Sequence, residues 1–224
     1  AHGAQEKKLL KTAGAELCRS CHGELMKPVA GGSVHDPFKG GECLTCHDAH
    51  GSNTAGMIVA KQDKLCFDCH PELRDSLKAA KTRHRPVSAG ECTKCHSPHQ
   101  AKLARLLLAQ GPDLCLTCHK ELKERMQKEK AHAPAARDCQ RCHAPHASGE
   151  STLLNRPVVS LCVECHDGKG ASFARAHIGI PFAAMDCRSC QDPHASKDPK
   201  FFKAVEHAPF AGRSCDACHA VTKK

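Results

Sequence analysis

Aromatic residues are scarce in this chain. It has no tryptophan, no tyrosine and only seven phenylalanines among 224 residues, and its mean hydropathy is −0.47. Large apolar side chains normally supply most of the surface that a domain of this size buries. The sequence therefore predicts that side chains alone do not form a conventional core, and that something else provides apolar surface.

Long apolar runs are missing as well. The longest is Leu106–Ala109, whereas a membrane-spanning helix needs about 20 apolar residues. We therefore expect no transmembrane segment. The first residues also show neither the charged region nor the apolar region of a signal peptide.

Cysteine and histidine, in contrast, are abundant, with 18 of each. All the cysteines fall in CxxC pairs, and in eight of the nine pairs the next residue is histidine. C-x-x-C-H is typical of covalent haem c, in which both thiols bind the porphyrin and the histidine binds the iron. A disulfide scaffold, a zinc ribbon or a thioredoxin-like site has no use for this fixed histidine. The expected attachment residues are Cys18, Cys21, Cys43, Cys46, Cys66, Cys69, Cys92, Cys95, Cys115, Cys118, Cys139, Cys142, Cys162, Cys165, Cys215 and Cys218, and the expected proximal ligands are His22, His47, His70, His96, His119, His143, His166 and His219.

Two kinds of motif alternate along the chain. The first kind has a leucine before its first cysteine and begins at 18, 66, 115 and 162; the second kind begins at 43, 92, 139 and 187. Motifs of one kind recur every 47 to 49 residues, and such a period indicates an array of stacked units. We expect a single domain of two-haem repeats, at about 18–65, 66–114, 115–161 and 162–206, with a half-unit at 207–224.

The expected fold is mostly irregular, with short α-helices wrapped around haems and almost no β-structure. Helices are predicted at 71–81 and 120–130, where Glu, Leu, Lys and Arg predominate. Since the haems would supply most of the buried apolar surface, we also expect the haem-free chain to be largely unfolded.

A second set of histidines recurs in register with the motifs and supplies candidate distal ligands. His50 lies about one helical turn from His47, on the same side of the backbone, so it cannot reach the other face of the same haem. We therefore expect histidines of this type to bind the first-kind haem of their own repeat, and upstream histidines to bind the second-kind haems. The first group is His50, His99, His146 and His194; the second is His35, His84, His132, His177 and His207.

The ninth pair, Cys187 and Cys190, is followed by Gln191, a poor ligand for iron. Two interpretations remain open. Either no haem is bound and the cysteines form a disulfide or remain thiols, or a haem is attached without a normal proximal ligand. The sequence predicts eight haems, with a ninth at this pair as the alternative.

The formal net charge of +9 would ordinarily suggest an anionic partner such as a nucleic acid. Each ferric haem adds one negative charge, because two propionates outweigh the single positive charge of the iron porphyrin, so eight haems reduce the total to about +1. Aromatic platforms for stacked bases are also scarce. We therefore expect no nucleic-acid partner.

The alternation of Leu-Cys-x-x-Cys-His-x-Glu-Leu with Cys-His-x-Pro-His, from Cys18 to His219, resembles the doubled-CXXCH multihaem cytochromes of metal-respiring bacteria. Within that group, the chain is similar to the periplasmic cytochrome of an outer-membrane porin–cytochrome conduit. The resemblance implies an exported electron carrier whose partners are other multihaem cytochromes and an outer-membrane β-barrel. Because haem c is attached outside the cytoplasm in such proteins, it also implies that Ala1 begins a mature chain.

The expected function is electron transfer along closely spaced bis-histidine haems, without enzymatic activity, since six-coordinate iron has no open position. Three alternatives remain open. The chain could be a subunit of an extracellular filament, for which His2 is a surplus ligand, or a soluble periplasmic shuttle. It could also be a reductase of nitrite, hydroxylamine or tetrathionate that uses an open haem near Gln191.

Overall fold

The computed structural model describes residues 6–12, 14–168, 170–177, 185–205, 207–212, 214 and 218. Short helices and turns dominate, as predicted, and the longest helices have nine residues. The helices predicted at 71–81 and 120–130 are confirmed, each ending two residues earlier. The α-helices are α1 Gly14–His22, α2 Asp36–Lys39, α3 Cys43–Cys46, α4 Gln62–Cys69, α5 Pro71–Ala79, α6 Arg85–Ser88, α7 Gly111–Leu116, α8 Lys120–Lys128, α9 Ala133–Arg137, α10 Val158–Val163, α11 Ala171–Ala176 and α12 Ala208–Ala211.

Single turns of 3-10 helix and two-residue strands complete the described structure. The turns lie at Lys7–Leu9, Ala55–Met57, Cys92–Lys94, Ala104–Leu106, Cys139–Arg141, Ser151–Leu153 and Cys187–Ser189. The strands are β1 Ser33–Val34, β2 Thr82–Arg83, β3 Gln100–Ala101, β4 Lys130–Ala131, β5 Ala147–Ser148 and β6 Ala195–Ser196.

The chain separates into two compact units. One comprises Ala1–Ala79 with Arg83–Gln110, and the other Ala80–Thr82 with Gly111–Lys224. The grouping of all the repeats into a single domain stays a prediction.

Each unit contains an antiparallel strand pair that joins neighbouring repeats. In the first unit β1 pairs with β3, with Ser33 opposite Ala101. In the second unit β4 pairs with β6, with Lys130 opposite Ser196. Both pairs connect the segment before an upstream histidine to the segment after the second-kind motif of the next repeat, so the two repeats of each pair interlock.

Very few side chains are buried in the described part of the chain. The buried apolar residues there are Leu77, Leu154 and Ala195, while Leu44 is 66% exposed. This agrees with the expectation that side chains do not form a conventional core. None of the described helices is long and apolar enough to cross a membrane.

Candidate functional site

The proximal histidines of the second-kind motifs share one local structure. His47 forms a β-bridge with Ile58, and its Nδ1 donates to the carbonyl oxygen of Gly56 at 2.8 Å. A histidine that donates its Nδ1 proton to a backbone carbonyl has its ring orientation fixed and keeps Nε2 for a metal. The equivalent Nδ1–carbonyl pairs are His96 with Arg105 at 2.8 Å and His143 with Thr152 at 3.0 Å.

A left-handed turn presents these carbonyl groups to the imidazoles. The acceptor residue has φ of 75° at Gly56, 57° at Arg105 and 54° at Thr152. Left-handed backbone is unfavourable for residues other than glycine, and most of all for a β-branched residue. Sequence reasoning missed these acceptors, because glycine, arginine and threonine at one position leave no residue-type signal.

The upstream histidines are also fixed by backbone contacts. His35 and His132 adopt the same extended backbone conformation, with φ of −68° and −69°. Each lies just before a short helix that has proline in its first turn. Their Nδ1 atoms lie 2.9 Å from the carbonyl oxygen of Pro98 and 3.0 Å from that of Pro193, respectively. His84 and His207 precede α6 and α12 in the same way.

His177 departs from this arrangement. It follows α11 rather than preceding a proline-containing helix. Its ring stacks on Phe173 with a centroid separation of 4.0 Å, and its Nδ1 lies 3.0 Å from the Phe173 carbonyl oxygen.

Four pairs of imidazole rings have the separation expected of two axial ligands on one iron. With metal–nitrogen bonds of about 2 Å, two such rings have centroids about 6 Å apart. In the structure, the planes of each pair lie within 26° of parallel. The centroid separations are 6.2 Å for His35 and His70, 5.9 Å for His47 and His99, 6.1 Å for His132 and His166, and 5.9 Å for His143 and His194.

These pairs correct the pairing that the sequence predicted. His99 lies opposite His47 rather than His70, and His35 lies opposite His70 rather than His47. The physical reason is the β1–β3 pairing, in which the His35 backbone N–H donates to the His99 carbonyl oxygen at 2.8 Å. The same bond recurs in the second unit, where the His132 backbone N–H donates to the His194 carbonyl oxygen, also at 2.8 Å.

Burial favours the neutral, ligating form of two of these histidines. Burial lowers the pKa of His99, and the nearby His47 and His35 lower it further. Burial also lowers the pKa of His194, against the opposing effect of Asp192. An imidazole must be neutral to bind a metal, so both residues are suited to ligation.

The first cysteines of adjacent motifs lie together. Burial raises the pKa of the Cys43 thiol, and the neighbouring Cys18 raises it further. A hydrogen bond with Cys92 raises the pKa of Cys66, together with burial, and the same bond lowers the pKa of Cys92 to about 7. Burial, followed by the adjacent Cys187 thiol, raises the pKa of Cys162 to about 12.

Second cysteines lie near each other where a second-kind motif is followed by a first-kind motif. Burial raises the pKa of Cys46, and Cys69 is the next largest cause. In the second unit, the Arg141 guanidinium donates to the Cys165 sulfur at 3.5 Å. Burial raises the pKa of Cys142, against the opposing effect of Arg141, and Cys165 is among the smaller causes that raise it. In the first unit, attachment points that follow one another in sequence therefore lie close in space, as do those that contain Cys142, Cys165 and Cys187 in the second unit.

At the ninth pair the same local structure holds a different side chain. Gln191 forms a β-bridge with Phe202, and its amide Nε2 donates to the Lys200 carbonyl oxygen at 2.7 Å. The amide thus replaces the Nδ1–H of a histidine. Cys187 and Cys190 are not joined by a disulfide.

The other candidate ligands lie at several places along the chain. His22 ends α1 and is exposed. The His50 side chain is 100% exposed, with its Nδ1 3.7 Å from Asp48. His119 and His146 lie in the described chain at the expected repeat positions. His2, Cys215 and His219 lie outside the described residues, and Cys218 is exposed.

The donor groups fit haem c. Paired cysteines precede each proximal histidine, and paired imidazoles leave four equatorial positions for a porphyrin. Within the described ranges, no group of three or more His, Cys, Asp or Glu side chains is arranged to hold a metal ion alone. The chemistry therefore suits a macrocycle better than a structural zinc site, which has four protein ligands.

Comparison with known proteins gives one family match. The model of the doubled CXXCH motif matches residues 1–27, 35–75, 84–124 and 132–171. These four segments follow the repeat described above. No curated protein matches the chain.

Proposed function

Because the chain belongs to the doubled CXXCH motif family, and is thus a multihaem c-type cytochrome, we propose that it relays electrons along bis-histidine haems. Haem c, when bound, exchanges single electrons at its iron. The protein residues attach the haems, fill both axial positions and set the order of the sites. In this proposal the chain is an electron carrier and not an enzyme.

The observation that carries the proposal is the set of imidazole pairs at 5.9 to 6.2 Å. With both axial positions filled by protein, a site has no position for a substrate and can only gain or lose electrons. The carbonyl contacts of His47 and His143 hold these ligands in place. A fixed ligand geometry keeps structural change small when the charge of the site changes, which favours fast electron exchange.

The order of the cysteines supports a relay within the first unit. Cys18 neighbours Cys43, Cys46 neighbours Cys69, and Cys66 neighbours Cys92. Attachment sites 1 to 4 therefore succeed one another in space as in sequence. Closely spaced redox centres allow electrons to hop between neighbours without a diffusing carrier.

Spin state and electrode response test this function. The oxidised protein should be mainly low-spin by electron paramagnetic resonance, because two imidazoles impose a strong field, and all its haems should respond reversibly in protein-film voltammetry without added substrate. His47→Gly should remove one low-spin centre, and the exposed-surface variant Lys102→Ala should remove none. Mainly high-spin haems in the wild type would contradict the relay.

We also propose that the chain is exported and works in the periplasm or outer membrane, with other multihaem cytochromes and an outer-membrane β-barrel as partners. The motif resemblance supports this placement. The test is fractionation of the native cells followed by affinity purification of the tagged chain. A haem-containing chain that co-purifies with a β-barrel supports the conduit, whereas a haem-containing chain recovered alone and in soluble form indicates a shuttle.

A further inference from the structure

We propose that Cys187 and Cys190 carry a ninth haem whose axial position beside Gln191 is open, and that this haem binds a small exogenous ligand such as carbon monoxide or cyanide. The inference rests on the haem attachment assumed in the proposed function, and adds a ligand-binding site to the relay. It follows from four observations on the second unit.

The attachment framework at this pair is complete. The backbone N–H of Asp192 donates to the Phe201 carbonyl at 2.8 Å and that of Lys203 to the Cys190 carbonyl at 3.0 Å. At the preceding second-kind motif, Ala144 and Asn155 make the same two bonds, at 2.7 and 2.8 Å, to Leu153 and Cys142.

The turn through the cysteines is also the same. The Asp186 carboxylate accepts from the Arg188 N–H at 3.0 Å, as the Asp138 carboxylate accepts from the Gln140 N–H at 2.9 Å. Cys187 lies against Cys162, as Cys43 lies against Cys18. Attachment is then simple addition of each S–H across a vinyl C=C: one S–C bond forms, the proton goes to the other vinyl carbon, and no oxidant is needed.

Gln191 preserves this framework and removes the ligand. Its Nε2 occupies the donor role of an imidazole Nδ1, with a bond of 2.7 Å to the Lys200 carbonyl against 3.0 Å from His143 to the Thr152 carbonyl. The amide retains only a neutral carbonyl oxygen, whereas iron prefers an imidazole nitrogen.

Among the residues that the structure describes, the neighbouring histidines supply at most one imidazole to this site. His194 already lies opposite His143, at 5.9 Å, and the His177 ring stacks on Phe173. His207 is the other histidine in the described chain after Gln191, and it lines a cavity of about 220 Å³ together with Cys190. In this proposal His207, which lies on the same cavity as Cys190, holds the iron from one face, and the Gln191 face is open.

Carbon monoxide binding to the dithionite-reduced holoprotein tests the proposal. Carbon monoxide binds ferrous haem only where an axial position is open or weakly held. We expect one carbon monoxide per chain by spectral titration, and one haem mass on the proteolytic peptide that contains Cys187 and Cys190. If the wild type lacked that haem mass, or did not bind carbon monoxide, the proposal would be overturned. Both measurements use the wild-type protein alone.

Gln191→His is the decisive variant, and Gln140→His is its matched control. Both place a new histidine in a second-kind motif, but position 140 lies between two cysteines rather than at the ligand position. Gln191→His should abolish carbon monoxide binding and add one low-spin centre, with the haem mass unchanged. Gln140→His should change neither the binding of carbon monoxide nor the number of low-spin centres.

Carbon monoxide binding that survives Gln191→His would show that the open position lies elsewhere. This failure is distinguishable from failure of the relay. If the eight CxxCH haems are present and low-spin, only the ligand site is refuted; if they are absent or high-spin, the relay itself is refuted.

Discussion

The imidazole rings of His47 and His99 lie 5.9 Å apart, although His99 belongs to the next repeat. The proximal ligand of one repeat thus faces a histidine delivered by its successor. In the other pair, the ring of His35, an upstream histidine of the first repeat, lies 6.2 Å from the ring of His70, the proximal ligand of the second repeat. Neighbouring repeats are therefore joined by the sites as well as by the β1–β3 pair.

Double variants test which histidines share an iron. His47→Gly with His99→Gly should remove one low-spin centre, because both side chains serve one haem, whereas His70→Gly with His99→Gly should remove two. The centres are counted by electron paramagnetic resonance of the oxidised holoprotein. If the second double variant lost one centre and the first lost two, the pairing within a repeat would be right and the crossed pairing wrong.

Removal of one attachment pair should remove one haem. Cys66→Ala with Cys69→Ala should lower the intact mass by one haem and lower the melting temperature, since the haem supplies apolar surface that side chains do not. Replacement of Ser20 by alanine, between two cysteines, should leave the haem count unchanged. An unchanged mass in the double variant would refute attachment at this motif.

Expression without haem attachment should give a largely unfolded chain. The described residues include three buried apolar side chains, Leu77, Leu154 and Ala195, which is far too few to offset the entropy of ordering the backbone, about 1–2 kcal/mol per residue. Circular dichroism and amide hydrogen exchange would measure this. Strong exchange protection in the haem-free chain would contradict it.

The left-handed turn at Thr152, with φ of 54°, should be strained. Thr152→Gly should raise the free energy of unfolding by about 1 kcal/mol, because glycine adopts this conformation without a Cβ penalty. The reciprocal control is Gly56→Thr, which should lower it by about 1 kcal/mol, since a Cβ at Gly56 meets no atom within 4 Å. Both changes are measured by denaturant unfolding, and a loss of stability in Thr152→Gly would argue against strain.

Arg125 should stabilise the second unit. Its guanidinium lies 2.9 Å from the Asp192 carboxylate and 3.3 Å from that of Glu129, and hydrogen bonds between charged groups contribute roughly 2 kcal/mol when partly buried. Arg125→Met should therefore reduce the free energy of unfolding by about that amount. Lys128→Met on the same helix removes only an exposed pair with Glu124 and should cost less than about 0.5 kcal/mol. Equal losses of unfolding free energy in the two variants would show that the ion pair between Arg125 and Asp192 does not stabilise the second unit.

The sequence was sufficient for features that depend on neighbouring residues. A CxxCH motif contains both cysteines and the proximal ligand, and the repeat period showed which other histidines recur. The helices at Pro71–Ala79 and Lys120–Lys128 follow from composition. These are local properties, and the structure retains them.

The distal pairing could not be predicted, because it depends on two-residue strands that carry almost no pattern. Ser33–Val34 and Gln100–Ala101 are too short for alternation to be recognised. The bond from Gln191 to Lys200 was equally hidden, because its acceptor is a backbone carbonyl. His177 shared a sequence position with His35 but not its conformation.

The crossing of His35 and His99 has a consequence for biogenesis. A ribosome releases His35 and His47 long before it releases Pro98 and His99, yet the backbone and ring of His35 are held by these later residues. The pairs of His35 with His70 and of His47 with His99 are therefore complete only when the second repeat is present. A chain that stops before His99 would leave His47 without the imidazole that lies opposite it.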